Sequence, residues 1–129
     1  MQTLDAYQEA LRYLANAKET LKKAGKKDGR YDDIKYVQTA SGTAYSGVLI
    51  ALDAYLKRTE GLKYKKPKSI EDYTKRIATK DRKLLRLLDS VYDSLHLAGY
   101  YHGTHSVKTI TSGLEDAEAI IEYIKPPSK

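Results

Sequence analysis

Apolar residues recur every three or four positions along most of this chain, and this spacing limits the fold more than any other feature. The clearest run extends from Ile34 to Tyr55, where apolar or small side chains keep the spacing without interruption. A second run of the same kind extends from Val107 to Ile124. Because an α-helix turns once in about 3.6 residues, each run places its apolar side chains on one face. The spacing therefore predicts amphipathic helices.

Capping residues between the apolar runs predict where five helices begin and end. Ser, Thr and Asp accept hydrogen bonds from the free amides at a helix start, and glycine favours the left-handed conformation that ends a helix. The predicted helices are residues 4–24, ended by Gly25; a long helix after Asp32 or Asp33; a short helix after Ser69; a helix after Asp81 that ends near His102; and a helix after Thr104 or Ser106, stopped by Pro126. The stretch GKKDGR at residues 25–30 is predicted to be a short loop.

Four long helices, one short helix and short connections predict an all-α fold, an antiparallel up-and-down helical bundle. Residues 1–125 are expected to form a single helical-bundle domain, followed by a short proline-containing tail at residues 126–129. Gly42 and Gly47 each weaken the second long helix by about 1 kcal/mol relative to alanine. We therefore expect a neighbouring backbone to approach that helix closely at these glycines.

The composition excludes several classes of protein. With no cysteine in the sequence, the chain has no disulfide, no thiol nucleophile and no thiolate-bound metal. No segment approaches the roughly 18 consecutive apolar residues of a membrane span, and the N-terminal residues do not resemble a signal peptide. A glycine-rich phosphate loop is also missing. We therefore expect a cytoplasmic protein with no membrane association and no cofactor.

Positive charge is concentrated in the middle of the chain. Residues 57–86 contain twelve Lys or Arg and four acidic residues, within a chain of formal net charge +6. The lysines of the connector between the second and third helices are Lys63, Lys65, Lys66 and Lys68, and Tyr64 and Tyr73 are interleaved with basic residues. This pattern is typical either of a solvated loop or of a surface that binds a nucleic-acid backbone or an acidic protein.

The segment LHLAGYYHGTH at residues 95–105 contains all three histidines of the chain. One interpretation is a tight turn between two helices, with Tyr100 and Tyr101 packed and His102 near the negative end of a helix dipole. The alternative makes His102 and His105 an acid and base pair for phosphodiester cleavage. In an up-and-down bundle this turn lies at the same end as residues 25–30. Three basic residues there are then candidates to hold a phosphate: Lys26, Lys27 and Arg30.

Asp89, Asp93 and His96 fall on one face of the predicted fourth helix and could be considered as metal ligands. Di-metal helical bundles use inward glutamates and a Glu-x-x-His pair on two helices, and this chain offers no counterpart to its one Asp-x-x-His. We therefore predict a solvated, salt-linked flank and no metal site. His96 neighbours the core position Leu95, so its ring could also be half buried.

Three segments resemble the HEPN superfamily of small prokaryotic helical bundles: DAYQEALRYLANAKETL, TASGTAYSGVLIALDAYL and GYYHGTHSVKTITSGLEDAEAIIEYI. The chain looks closest to an uncharacterised family of such short bundles, within or near this superfamily. The resemblance implies a helical bundle that dimerises through a helical face and acts as a non-catalytic binding member. Proteins of the superfamily are often linked to toxin–antitoxin systems or to nucleotide-transferase partners. The ribonuclease members carry an Arg followed four to six residues later by His. None of His96, His102 and His105 has an Arg at that distance, so the resemblance does not carry nuclease activity to this chain.

The sequence thus predicts a non-catalytic interaction module that forms a homodimer or a small homo-oligomer. An RNA-processing or nucleic-acid-binding protein of a toxin–antitoxin type is the alternative. The first interpretation depends on the strong helical core pattern, and the second depends on the histidines and the basic residues 57–86.

Overall fold

The computed structural model describes residues 3–127 and is predominantly helical. Its elements are α1 (Thr3–Lys22), β1 (Lys26–Lys27), β2 (Arg30–Tyr31), α2 (Ile34–Glu60), α3 (Ile70–Ala78), α4 (Arg82–Val91) and α5 (Val107–Tyr123). A short 3-10 turn, Gly61–Lys63, follows α2, and α4 continues directly into a π-helix, Tyr92–Tyr101, which we call the π segment. The predicted all-α class is confirmed, and so is the predicted break between α3 and α4.

Four of the predicted helix starts carry the expected capping side chain. In each case an oxygen of the capping residue accepts a hydrogen bond from a backbone amide in the first turn. The bonds are Lys35 N–H to Asp33 (3.0 Å), Asp72 N–H to Ser69 (3.2 Å), Leu84 N–H to Asp81 (3.0 Å) and Thr109 N–H to Ser106 (3.1 Å). These capping interactions fix where α2, α3, α4 and α5 begin.

Residues 25–30 do not form the plain loop that was predicted. They contribute to an antiparallel β-hairpin in which Lys26 pairs with Tyr31 and Lys27 pairs with Arg30. The two residues of its turn, Asp28 and Gly29, have φ angles of 54° and 74°. Positive φ at both central residues is the requirement of a tight hairpin turn, and Asp-Gly is a sequence that meets it well. The loop prediction was wrong because it overlooked this dipeptide.

Helix α2 is the central element of the core. It packs against α1, α5 and the π segment. Its largest fully buried side chains are Val37, Val48, Leu52 and Leu56. They share one core cluster with Leu84, Leu88, Leu95, Ile110 and Ile120 from the second half of the chain. Within residues 3–127, no helix is both long enough and apolar enough to cross a membrane.

The two glycines of α2 have different neighbours. A Cβ atom on Gly47 would lie 3.2 Å from the backbone oxygen of Ala10 and 2.9 Å from the Cβ of Tyr13. The expected close approach of a backbone is therefore confirmed at this position, where α1 crosses α2. A Cβ on Gly42 would instead lie 2.9 Å from the ring of Tyr100. At Gly42 the expectation was wrong, because an aromatic side chain rather than a backbone fills the space.

Candidate functional site

The site begins with the π segment, which replaces the α-helix predicted for the second half of the fourth helix. At its end the amide of His102 donates to the carbonyl of Leu97, five residues earlier, at 2.9 Å. Most π-helices are single turns, and they occur frequently at functional sites. Close packing accompanies this one on two sides, since Gly99 lies against Ser41 of α2 and Gly113 of α5 lies against Leu95. The π segment is therefore an unusual feature that marks this face of the molecule.

Three aromatic rings stack along the π segment. The ring centroids of Tyr92 and His96 are 4.9 Å apart with an interplanar angle of 27°, and those of His96 and Tyr100 are 5.8 Å apart at 20°. Rise per residue decreases from the 3-10 helix to the α-helix as the hydrogen-bonded span lengthens. A π-helix continues this trend, so side chains four residues apart come closer along its axis. The π segment thereby brings the three rings to stacking distances.

Tyr45 of α2 completes the aromatic cluster from the facing helix. Its ring centroid lies 4.8 Å from that of His96 and 6.2 Å from that of Tyr92. Burial, with smaller contributions from Tyr92 and Glu71, raises the pKa of Tyr45 to about 12. The Tyr45 hydroxyl therefore keeps its proton across the physiological range, and it remains a hydrogen-bond donor as well as an acceptor.

An open groove of about 580 Å³ lies beside this cluster, between α1, α2 and the π segment. We call it the aromatic groove. Its lining residues are Tyr13, Thr39, Gly42, Thr43, Tyr45, Ser46, Leu49, His96 and Tyr100. Tyr100 is 51% exposed, so its ring forms part of the rim. Tyr13, Tyr45, His96 and Tyr100 give the groove four aromatic walls.

The structure brings the histidine turn and the hairpin together, as the topology argument predicted. The backbone amide of Tyr31 donates to the carbonyl of His105 at 2.8 Å, and the amide of Val107 donates to the carbonyl of Gly29 at 3.1 Å. Nδ1 of His105 lies 2.7 Å from the carbonyl oxygen of Tyr31. Because a carbonyl only accepts, Nδ1 carries the proton in this bond and Nε2 is left free. The first role of His105 is thus to join the turn to the hairpin.

The other predicted residues at this end lie on the surface. Tyr101 is 69% exposed, and its ring meets His102 edge-on with centroids 5.1 Å apart. Gly103 has a φ of 64°, which agrees with its predicted left-handed position after the helix. The predicted phosphate-binding residues Lys26, Lys27 and Arg30 are all exposed. A catalytic role for His102 and His105 stays a prediction.

The basic connector between α2 and α3 is held against the helices by its aromatic residues. The hydroxyls of Tyr73 and Tyr64 both donate to Asp53 of α2, at 2.9 and 3.3 Å. Tyr73 is buried, and burial is the main cause that raises its pKa. The Tyr73 ring is therefore not presented as a flat surface on which a base could stack. Tyr64 is half-buried, and the charged groups of Lys57 and Arg76 each lie 5.6 Å from its ring centroid. The four connector lysines, Lys63, Lys65, Lys66 and Lys68, are exposed as predicted.

Arg76 of α3 fastens the same connector through several charged and polar contacts. Its guanidinium donates to Glu60 at 2.6 and 3.2 Å, to the carbonyl of Lys65 at 2.6 Å and to Asp72 at 3.2 Å. Lys80 also contacts Glu60, at 3.2 Å. The hydrogen bond from Arg76 is the main cause that lowers the pKa of Glu60. Sequence reasoning missed this network because Glu60 and Lys65 lie 16 and 11 residues from Arg76.

Asp89, Asp93 and His96 are not brought together as ligands. Among residues 3–127, no group of three or more His, Asp or Glu side chains is arranged to hold a metal ion. His96 is half buried, as one of the two sequence interpretations predicted, and aromatic rings surround it instead of carboxylates. The face that it occupies belongs to the aromatic groove.

The fold and the groove together define a small all-α protein with an aromatic surface site. The family described as a domain of unknown function (DUF5618) matches residues 5–126, and the chain belongs to this family. It is also similar to the solved structure of a protein of unknown function from Dyadobacter fermentans, with 40% sequence identity, 97% coverage of each chain and a TM-score of 0.85. No curated protein matches the chain.

Proposed function

We propose that the protein is a non-catalytic interaction module of the cytoplasm that forms a homodimer or small homo-oligomer, on a HEPN-like antiparallel helical bundle. The observation that carries this proposal is the exposure of Tyr101, 69% accessible, at the end of the π segment. Exposed aromatic side chains beside an apolar surface are typical of protein contact sites. Two pairs of packed helices support the bundle. Helices α1 and α2, which the hairpin connects, pack against each other, and α4 packs against α5.

Light scattering coupled to size exclusion tests the self-association. We expect a molar mass above that of the 14.6 kDa chain at micromolar concentrations. Tyr101→Ser should shift the protein toward the monomer, because it removes an exposed aromatic anchor. Leu62→Ser is the matched control, since Leu62 is a fully exposed apolar residue in the 3-10 turn that follows α2. A strict monomer at all concentrations, or equal effects of the two substitutions, would contradict the proposal.

A second candidate function is binding of single-stranded nucleic acid through Lys63, Lys65, Lys66 and Lys68. The observation that favours it is the anchoring of this connector by Arg76 and Asp53, which holds four exposed charges on a fixed support. Such preorganised charge loses little conformational freedom when it meets a phosphate backbone.

Titration with single-stranded RNA at several salt concentrations tests this second function. Four phosphate contacts predict a slope of about −3 for the logarithm of affinity against that of salt, at about −0.7 for each contact. Replacing all four connector lysines by alanine should flatten the slope, whereas replacing Lys26, Lys27 and Arg30 should not. A flat response in the unmodified protein rules this function out. Cleavage of the RNA that disappears in His102→Ala and His105→Ala would overturn the non-catalytic assignment.

A further inference from the structure

We propose that the aromatic groove is a binding site for a small, neutral, planar aromatic compound of one or two rings that donates N–H or O–H hydrogen bonds. The inference goes beyond self-association through Tyr101, which is not among the residues that line the groove. Three properties of the lining carry it: its charge, its rings and its hydrogen-bonding capacity.

The lining selects against anions. Apart from His96, the groove is lined by tyrosine, threonine, serine, glycine and leucine residues, none of which carries a positive charge. The guanidinium of Arg12, at 5.8 Å from the ring centroid of Tyr13, is already paired with Glu9 at 2.6 Å. An anionic ligand would lose hydration on entering the groove without gaining a free counter-charge. A neutral ligand avoids this penalty.

The walls of the groove favour a flat ring. Tyr13, Tyr45, His96 and Tyr100 line it, and the rings of His96 and Tyr100 are within 20° of parallel. Gly42 lets the Tyr100 ring lie directly against α2, since a Cβ there would come within 2.9 Å of the ring. Because Tyr100 is 51% exposed, part of its ring is accessible to a ligand. Aromatic pairs gain energy beyond simple area burial through stacked or edge-on contacts.

The two threonine hydroxyls of the groove favour a ligand that donates hydrogen bonds. Thr39 donates to the carbonyl of Lys35 at 3.0 Å, and Thr43 donates to the carbonyl of Thr39 at 2.9 Å. A hydroxyl has one hydrogen, so both threonines retain only the capacity to accept. A ring N–H or O–H of the ligand supplies the donor that they lack.

The size of the groove suits one or two rings. Its volume of about 580 Å³ lies within the roughly 300–1,000 Å³ typical of small-molecule sites. The groove is open on one side, so a compound without further contacts is expected to bind weakly, with a dissociation constant on the order of 1 mM. Indole is a suitable probe because it is neutral, planar and bicyclic and carries one N–H donor.

Indole binding can be followed with two independent signals. The chain contains no tryptophan, so the fluorescence of indole can be excited selectively in the presence of the protein. The chain contains three histidines, so their imidazole NMR signals can be assigned by substitution. We expect indole to shift the signals of His96 in a saturable manner and to leave those of His102 and His105 unchanged. Unchanged His96 signals at the highest indole concentration would overturn the proposal.

Two exposed tyrosines provide the decisive pair of variants. Tyr100→Ala removes a wall and should weaken indole binding about tenfold, whereas Tyr100→Phe keeps the ring and should retain affinity within about twofold. Tyr123→Ala is the matched control, because Tyr123 is also exposed, at 45%, and does not line the groove. This control should bind indole as the unmodified protein does. Gly42→Ala gives a second route, because its methyl group displaces the Tyr100 ring and should also weaken binding. Equal losses in Tyr100→Ala and Tyr123→Ala contradict the assignment.

Two comparisons between related compounds test the chemical class. We expect 1-methylindole to bind more weakly than indole because it lacks the N–H donor, and cyclohexanol to bind more weakly than phenol because it is not planar. Cyclohexanol binding as tightly as phenol would overturn the aromatic specificity. The molar mass of Tyr101→Ser reports on self-association separately, so failure of one proposal is distinguishable from failure of the other.

Discussion

Gly99→Ala is expected to lower the free energy of unfolding by about 2–3 kcal/mol, although it adds a single methyl group. The new Cβ would lie 2.6 Å from the Cβ of Ser41 and 3.0 Å from Cδ1 of Ile110. Both neighbours are fully buried, so neither side chain can move aside into solvent. The π segment must then shift away from α2. Urea unfolding followed by circular dichroism measures the loss.

Ser41 supplies the controls for this prediction. Its hydroxyl oxygen is buried without a hydrogen-bond partner among the described residues, so Ser41→Ala should be neutral or stabilise the protein by about 1 kcal/mol. Ser41→Gly makes room for the new methyl group. The double variant Ser41→Gly with Gly99→Ala should therefore be less destabilised than the sum of its single changes. Additive effects, or a Gly99→Ala protein of unchanged stability, would show that the two helices are not packed as described.

Arg76→Ala is expected to lower the free energy of unfolding by about 2 kcal/mol and to loosen the basic connector. The side chains of Arg76 and Glu60 are 18% and 15% exposed, and their closest atoms are 2.6 Å apart. Removing the arginine leaves the Glu60 carboxylate in a partly buried position and frees the carbonyl of Lys65. Denaturant unfolding gives the stability change, and hydrogen exchange of residues 61–69 reports the loosening.

The same pair makes stability depend on pH. The hydrogen bond from Arg76 holds the pKa of Glu60 below its ordinary value of 4.5. A carboxyl group whose pKa is lowered by folding stabilises the protein above its unfolded-state pKa, and this contribution is lost as pH falls through the lower folded-state value. Stability of the unmodified protein should therefore fall as the pH drops below about 4.5. In Arg76→Ala this acid-dependent loss should be smaller.

Arg12→Ala is the matched control for Arg76→Ala. Arg12 and Glu9 are also 2.6 Å apart, but the Arg12 side chain is 61% exposed. Exposed ion pairs contribute little, so this substitution should leave the denaturant midpoint of unfolding nearly unchanged. If both arginine variants lose the same free energy, the contacts of Arg76 with Glu60 and Lys65 do not anchor the connector.

The sequence predicted local features well because their causes are local. The capping roles of Ser69 and Asp81 depend on residues within one helical turn, and both were predicted correctly. The hairpin was equally local, and the Asp28–Gly29 pair would have revealed it. The all-α class followed from periodicity alone, because a regular apolar stripe leaves a chain few other ways to bury its surface.

The π segment and the groove could not be predicted in the same way. Buried positions Leu95 and Gly99 are four residues apart, a spacing that an α-helix and a π-helix both allow. The close packing of Gly99 against Ser41 and of Gly113 against Leu95 joins residues that are distant in the sequence. Tyr45 likewise reaches His96 from another helix. The pattern of residues in one sequence does not indicate which distant residues contact each other in the fold.

The contacts between the β-hairpin and the histidine turn make the two ends of the molecule unequal. At one end, backbone hydrogen bonds of Tyr31 and Gly29 with His105 and Val107 tie together the two connections that flank α2 and α5. At the far end of α2, side chains such as Arg76 hold the connector. Main-chain pairing survives most substitutions, whereas side-chain anchoring depends on a few residues. Amino-acid substitutions and local thermal unfolding should therefore concentrate at the connector. The hairpin end should stay folded, because its backbone hydrogen bonds do not depend on particular side chains.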